Sequence, residues 1–138
     1  MKSNILKIIV IDNDRLFHAA YKYYFETYQD YSLEGIYISV EDAITDFDNV
    51  SPDIIVSEVS MPEVCGIQGI SMFRKKDPEV KIIMISARKD FELIKKAFKN
   101  RANGYLTKPV TKQRLYNALN SIKYEGATMS NDIVKAVI

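Results

Sequence analysis

The sequence predicts one α/β domain: a doubly wound sheet of five parallel strands, order 2-1-3-4-5, with helices on both faces. Three observations carry this. Five short runs rich in apolar residues alternate with five segments of helical period, the connections between them are short, and most runs are apolar almost throughout. Strands covered on both faces read this way, and right-handed crossovers leave the alternation few other topologies.

Residues 5–11 (ILKIIVI) form the first predicted strand. The period then changes: Leu16, Ala19, Ala20, Tyr23 and Tyr24, with Phe17 beside them, fall at helical spacing through about Tyr28, and Asp14 stands where an N-cap belongs. LEGIYIS (33–39) predicts the second strand, and VEDAITDFDNV (40–50) a short helix ended by Ser51 and Pro52. DIIVSEV (53–59) predicts the third strand, SMPEVCG a loop punctuated by Pro62 and Gly66, and IQGISMFRKKD (67–77) a helix with Ile67, Ile70 and Phe73 inward. VKIIMIS (80–86) is the fourth strand, and DFELIKKAFKN (90–100) a helix with Phe91, Ile94, Ala97 and Phe98 inward. GYLT (104–107) makes a short fifth strand, and TKQRLYNALNSIKYE (111–125) a last helix with Leu115, Leu119 and Ile122 inward.

The 138 residues suffice for one domain with a real core and not for two. Nineteen basic residues against eighteen acidic ones leave a formal net charge of +1, so no global charge argument points to nucleic acid or a membrane. No run approaches the ~20 apolar residues of a membrane span, and the opening MKSNILKIIVID holds too short an apolar stretch for a signal peptide. The single Cys65 cannot form an internal disulfide and the single His18 cannot build a histidine-rich metal site, which favours a cytoplasmic location. Both residues read as packing or surface groups. Lys75, Lys76, Lys95, Lys96 and Lys99 read as solvated helix faces. Tyr21, Tyr23, Tyr24, Phe25 and Tyr28 are more aromatic than one inward stripe needs; core packing is the first reading of them and a partner surface the second.

Four of the runs end on polar residues of different kinds: Asp12 with Asn13, Glu58, Ser86 and Lys108. The order 2-1-3-4-5 gathers the carboxyl ends of strands 1, 3 and 4 at the edge where doubly wound sheets carry their sites. Carboxylates on neighbouring strand ends can share a hard divalent cation through oxygen. A lysine opposite would neutralise a transferred phosphoryl group, and a hydroxyl would hydrogen-bond its oxygens. Asp14 reads as a helix cap alone.

Asp12-Asn13 after the first strand, PDIIVSEVSMPEVCG around the third, Ser86-Ala87 after the fourth, and Tyr105-Leu106-Thr107-Lys108-Pro109 at the fifth stand in a matched order and spacing. Together they resemble the receiver domain of two-component response regulators, over residues 5–124. The resemblance implies a flavodoxin-like fold in which an Asp takes phosphate from a histidine kinase or phosphotransfer protein, with Mg²⁺ held by acids at the first and third strands. It implies a signalling module rather than an enzyme with turnover. Lys108 then corresponds to the phosphate-reading lysine, Ser86 to the switch hydroxyl and Tyr105 to the switch aromatic. Asp12, Glu58 and Ser60 make the metal set, and Lys108-Pro109 is expected to be cis.

Two positions depart from the family pattern. Asn13 stands where a second acid is usual, so Mg²⁺ binding is expected to be weak or absent. Glu58 stands at the phosphoacceptor position, and Asp53 cannot replace it because it begins the strand, ~17 Å away at strand rise. The extra methylene of Glu58 moves its carboxylate ~1 Å or more toward Ser86 and Lys108, and in-line transfer is sensitive to such displacements. Phosphorylation is therefore expected to be lost or very slow. Two states stay open: an active-like receiver with a fixed negative charge, and a scaffold locked by a Glu58 to Lys108 ion pair. The alternative is a working phosphoacceptor that uses Glu58 and Mg²⁺ and regulates an attached or partner DNA-binding domain. A nucleotide or flavin binder would need a glycine-rich phosphate loop, which the sequence lacks.

Residues 1–125 are expected to form the receiver. Residues 126–138, with a Gly126 stop and Ser130 as an N-cap, are expected to be a linker or short C-terminal helix. They resemble the linker that leads from a receiver into a LuxR-type helix-turn-helix domain. The chain itself is expected to bind neither membrane nor nucleic acid. It is expected to meet a partner protein, an output domain or a second copy in a homodimer through its fourth helix, fifth strand and fifth helix.

Overall fold

The computed structural model describes residues 5–124 and, as backbone alone, residues 125, 128 and 129. In chain order the elements are β1 (Leu6–Ile11), α1 (Arg15–Thr27), β2 (Tyr31–Tyr37), α2 (Val40–Val50), β3 (Ile54–Glu58) and α3 (Gly66–Lys76). β4 (Lys81–Ser86), α4 (Phe91–Lys99), β5 (Gly104–Thr107), α5 (Lys112–Glu125) and β6 (Thr128–Met129) follow. The strands pair in parallel throughout, in the order β2-β1-β3-β4-β5-β6. The five expected strands thus stand in the expected order. β6 is an addition, pairing Thr128 with Gly104 and Met129 with Tyr105 along the outer edge of β5. Gly126 and Ser130, and with them the expected stop, cap and short helix, lie outside the described residues.

Strand residues alternate between two apolar layers, as a pleat of period two requires. Ile9, Ile11, Ile55, Ile82, Met84 and Tyr105 pack against Val40, Phe47, Ile70, Phe73, Ile94 and Ala97 of α2, α3 and α4. Ile8, Val10, Val56, Ile83 and Leu106 face Tyr21 and Phe25 of α1 and Leu115, Leu119 and Ile122 of α5. Burying one such side chain is worth about 1.5–3 kcal/mol, so two dry faces make the central strands the most strongly held part of the chain.

Three expectations are corrected. β2 begins at Tyr31, not Leu33, and ends at Tyr37. Ser39 instead caps α2, its hydroxyl accepting the Asp42 N–H at 3.1 Å, and a register shift at Ile8/Ile9 absorbs an extra residue of β2. α1 buries a rotated stripe. Leu16 is 83% exposed and Tyr23 57%, while Tyr21 and Phe25 are buried. Tyrosines decide that face through their polar tips: the Tyr24 hydroxyl donates to the Val110 carbonyl at 2.9 Å and that of Tyr28 to the Lys112 carbonyl at 2.5 Å. The aromatic cluster is therefore largely a tie between α1 and the start of α5. In α4, Phe91 is 45% exposed, and Ile94 and Ala97 form the inward face.

α3 carries a buried cation that its apolar stripe conceals. The Arg74 guanidinium donates to the carbonyls of Pro78 (3.3 Å), Val80 and Arg101 (2.6 Å) and to Asn103 Oδ1 (2.8 Å). Asn103 Oδ1 also accepts the Ile82 N–H at 2.9 Å. One side chain thereby ties the end of α3, the start of β4 and the α4–β5 connection. No helix among the described residues is long and apolar enough to cross a membrane.

Candidate functional site

The carboxyl edge of the sheet is built by chain reversals that leave little freedom. Asp14 caps α1 by accepting the Leu16 N–H at 3.0 Å. After β3 the chain turns so tightly that the Gly66 N–H donates to the Val59 carbonyl at 2.8 Å. A Cβ on Gly66 would lie 2.1 Å from the Glu58 carbonyl oxygen, so only glycine lets α3 start against the end of β3. After β5 the Lys108-Pro109 bond is cis, as expected, and the Lys108 N–H donates to the Ser86 carbonyl at 2.9 Å. Arg114 reaches back to hold the Thr107 carbonyl at 2.9 Å.

These turns bring three of the predicted residues together. Asp12 and Glu58 are buried, and Lys108 Nζ sits 2.6 Å from Glu58 Oε1 and 3.0 Å from Asp12 Oδ2. The remaining carboxylate oxygens are engaged as well. Asp12 Oδ1 accepts the Asp14 N–H at 2.9 Å, and Glu58 Oε2 accepts the N–H groups of Val59 (2.7 Å) and Ser60 (3.1 Å). Ser60 thus contributes its backbone N–H, and Asn13 is exposed. Asp53 lies at the opposite end of β3, where Oδ2 accepts the Lys7 N–H at 2.7 Å.

Ser86 and Tyr105 form a second group, centred on Arg88. The Ser86 hydroxyl accepts the Arg88 N–H at 3.0 Å, while the fully buried Tyr105 donates its hydroxyl to the Arg88 carbonyl at 2.6 Å. Both residues therefore control the backbone that leads from β4 into α4.

Two residues at this edge escaped the sequence reading: Arg88, whose backbone they hold, and Phe17. The Phe17 ring lies over Lys108 Nζ, 4.0 Å from nitrogen to ring centroid. A signal was present, since Phe17 stands three residues past the cap and helical side chains lean toward the helix N-terminus. His18 reinforces the junction, its Nε2 2.6 Å from the Asp12 carbonyl oxygen.

The donor set does not favour Mg²⁺. Among the described residues no group of three or more His, Cys, Asp or Glu is placed to hold a metal, and the two acids present already bind an ammonium and backbone N–H groups. The arrangement suits Lys108 as the counter-charge.

Burial pulls the Lys108 pKa down, but hydrogen bonds and charges from Glu58 and Asp12 outweigh it and leave the ammonium above the ordinary lysine value. Burial likewise raises the phenols of Tyr21, Tyr28, Tyr31, Tyr37 and Tyr105. For Tyr21 the charges of Asp12 and Glu58 add to it. Groups raised in the folded state contribute stability that is whole below their unfolded values, about 10 for Tyr and 10.4 for Lys. That stability is lost as pH climbs through the higher folded values. The melting temperature is therefore expected to hold to about pH 10 and then fall steeply. Tyrosinate absorbance from the buried rings should appear together with unfolding; buried phenols that ionise in the intact fold would contradict this.

The fold is that of a receiver-type signalling domain, and comparison with known proteins agrees. The sequence profile of the response regulator receiver domain matches residues 8–120, and the chain belongs to that family. The chemotaxis protein CheY of Thermotoga maritima is 32% identical over 92 residues, covering 67% of this chain and 77% of that protein. The transcriptional regulatory protein MctR of Rhizobium johnstonii is 23% identical over 133 residues, covering 96% of this chain. The chain spans 62% of MctR's length. A two-component response regulator of the LuxR family from Aurantimonas sp. SI85-9A1 shares the fold, with a TM-score of 0.89 at 23% identity, covering 96% of this chain and 95% of that one. Receivers are signalling modules that work with histidine kinases and output domains.

Proposed function

We propose that this chain is an atypical receiver that transmits its state without carrying a phosphoryl group, with Glu58 as a permanent anion at the acceptor position. One observation carries the reading: the Glu58 carboxylate itself takes the Lys108 ammonium and the Val59 and Ser60 N–H groups. Those are the donors that an anionic group built on this position would draw. In-line transfer is also sensitive to placement, and the extra methylene of Glu58 sets its Oε1 against Lys108 at 2.6 Å, displaced from where a shorter acid would end. The Glu58 to Lys108 ion pair expected of the locked scaffold is present, and it is the buried Tyr105, hydrogen-bonded to Arg88, that supports the active-like state.

In this reading the chain acts in the cytoplasm and engages an output domain, a partner protein or a second copy through α4, β5 and α5. Exposed Phe91, with Lys95 above its ring, belongs to that face. The test is intact mass after incubation with acetyl phosphate and Mg²⁺, beside Glu58→Asp. The expected result is no adduct on the native chain. An adduct there would establish the alternative, a phosphoacceptor that uses Glu58 and Mg²⁺.

A further inference from the structure

We propose that Phe17 is the gate of this pocket: its ring pins the Lys108 ammonium between Asp12 and Glu58, so that the lysine is the resident cation and a divalent ion is kept out. The inference rests on the reading of this edge as the receiver pocket and names what controls access to it. Two carboxylates and one ammonium leave a surplus negative charge, so charge alone would still draw a second cation. Exclusion has to come from geometry.

The geometry is specific. Lysine has three N–H donors; Glu58 Oε1 and Asp12 Oδ2 take two of them, and the Phe17 ring presents its negative face to Nζ at 4.0 Å. The Lys108 side chain keeps only 12% of its surface exposed. A magnesium ion binds through a near-octahedral shell that includes several waters, and it would need both the carboxylate oxygens and open volume beside them. Every oxygen of Asp12 and Glu58 already accepts a protein donor, so an ion would have to share them, and the ring lies over the ammonium that fills the space between them. Phe17 is held in place from below, because Asp14 caps the helix and His18 binds the Asp12 carbonyl.

Mn²⁺ is the probe, read by paramagnetic broadening of the Asp14, Val59 and Ser60 amide resonances in the whole chain. Phe17→Leu keeps an apolar side chain and removes the π face. It is expected to broaden those amides at a Mn²⁺ concentration roughly ten-fold below that needed for the native chain. Lys108→Met, which empties the cation position, is expected to respond at a lower concentration still; should it fail to fold, Phe17→Leu carries the test alone. Equal response of the native chain and Phe17→Leu would overturn the gate and leave Phe17 as packing. Broadening depends on ion entry and not on phosphate, so an acetyl phosphate adduct on Glu58 would defeat the functional reading separately.

Discussion

Lys108→Met is expected to cost about 3–5 kcal/mol of folding stability at neutral pH, the range for removing one partner of a buried ion pair. The substitution keeps a chain of similar length and deletes only the charge, leaving Asp12 and Glu58 buried beside each other. Their second oxygens retain backbone N–H donors, but no cation then offsets the two charges. Urea unfolding at pH 7 measures the cost. A loss below about 1 kcal/mol would mean that these carboxylates do not depend on the lysine.

Arg74→Met is expected to cost about 3 kcal/mol or more, although the residue lies on no functional surface. The guanidinium is buried, and its removal takes their donor from the carbonyls of Val80 and Arg101, each unpaired acceptor being worth about 1–3 kcal/mol, while Asn103 Oδ1 keeps the Ile82 N–H. Arg74→Lys should rescue little, because one ammonium cannot span acceptors that a planar fork reaches from two sides. Thermal melts supply the magnitude, and hydrogen exchange at the Ile82 and Asn103 amides supplies the location. Native stability in Arg74→Lys would refute the fork argument.

The same residue marks the limit of what the sequence discloses. β1 and β4 are legible because ILKIIVI and KIIMI have no other plausible place than between two helical layers. Arg74 is not, since its acceptors lie between residues 78 and 103 and come together only after β4 and β5 pair. α1 fails for a similarly long-range reason: a tyrosine satisfies either face, and the choice belongs to Val110 and Lys112, 86 and 84 residues away. At the site, residue types at strand ends are readable, because parallel strands align those ends. The sharing of Lys108 by both acids and its cover by Phe17 depend on how α1 leaves β1, which no spacing encodes.

β6 carries a last consequence. A sheet that stopped at β5 would present the main chain of Gly104 and Tyr105 as a template on which another polypeptide could crystallise its own strand. Thr128 and Met129 occupy that lane, so the main chain of Gly104 and Tyr105 is already paired. On that side a foreign strand is denied its template at those two residues, which leaves β2 as the sheet's other border.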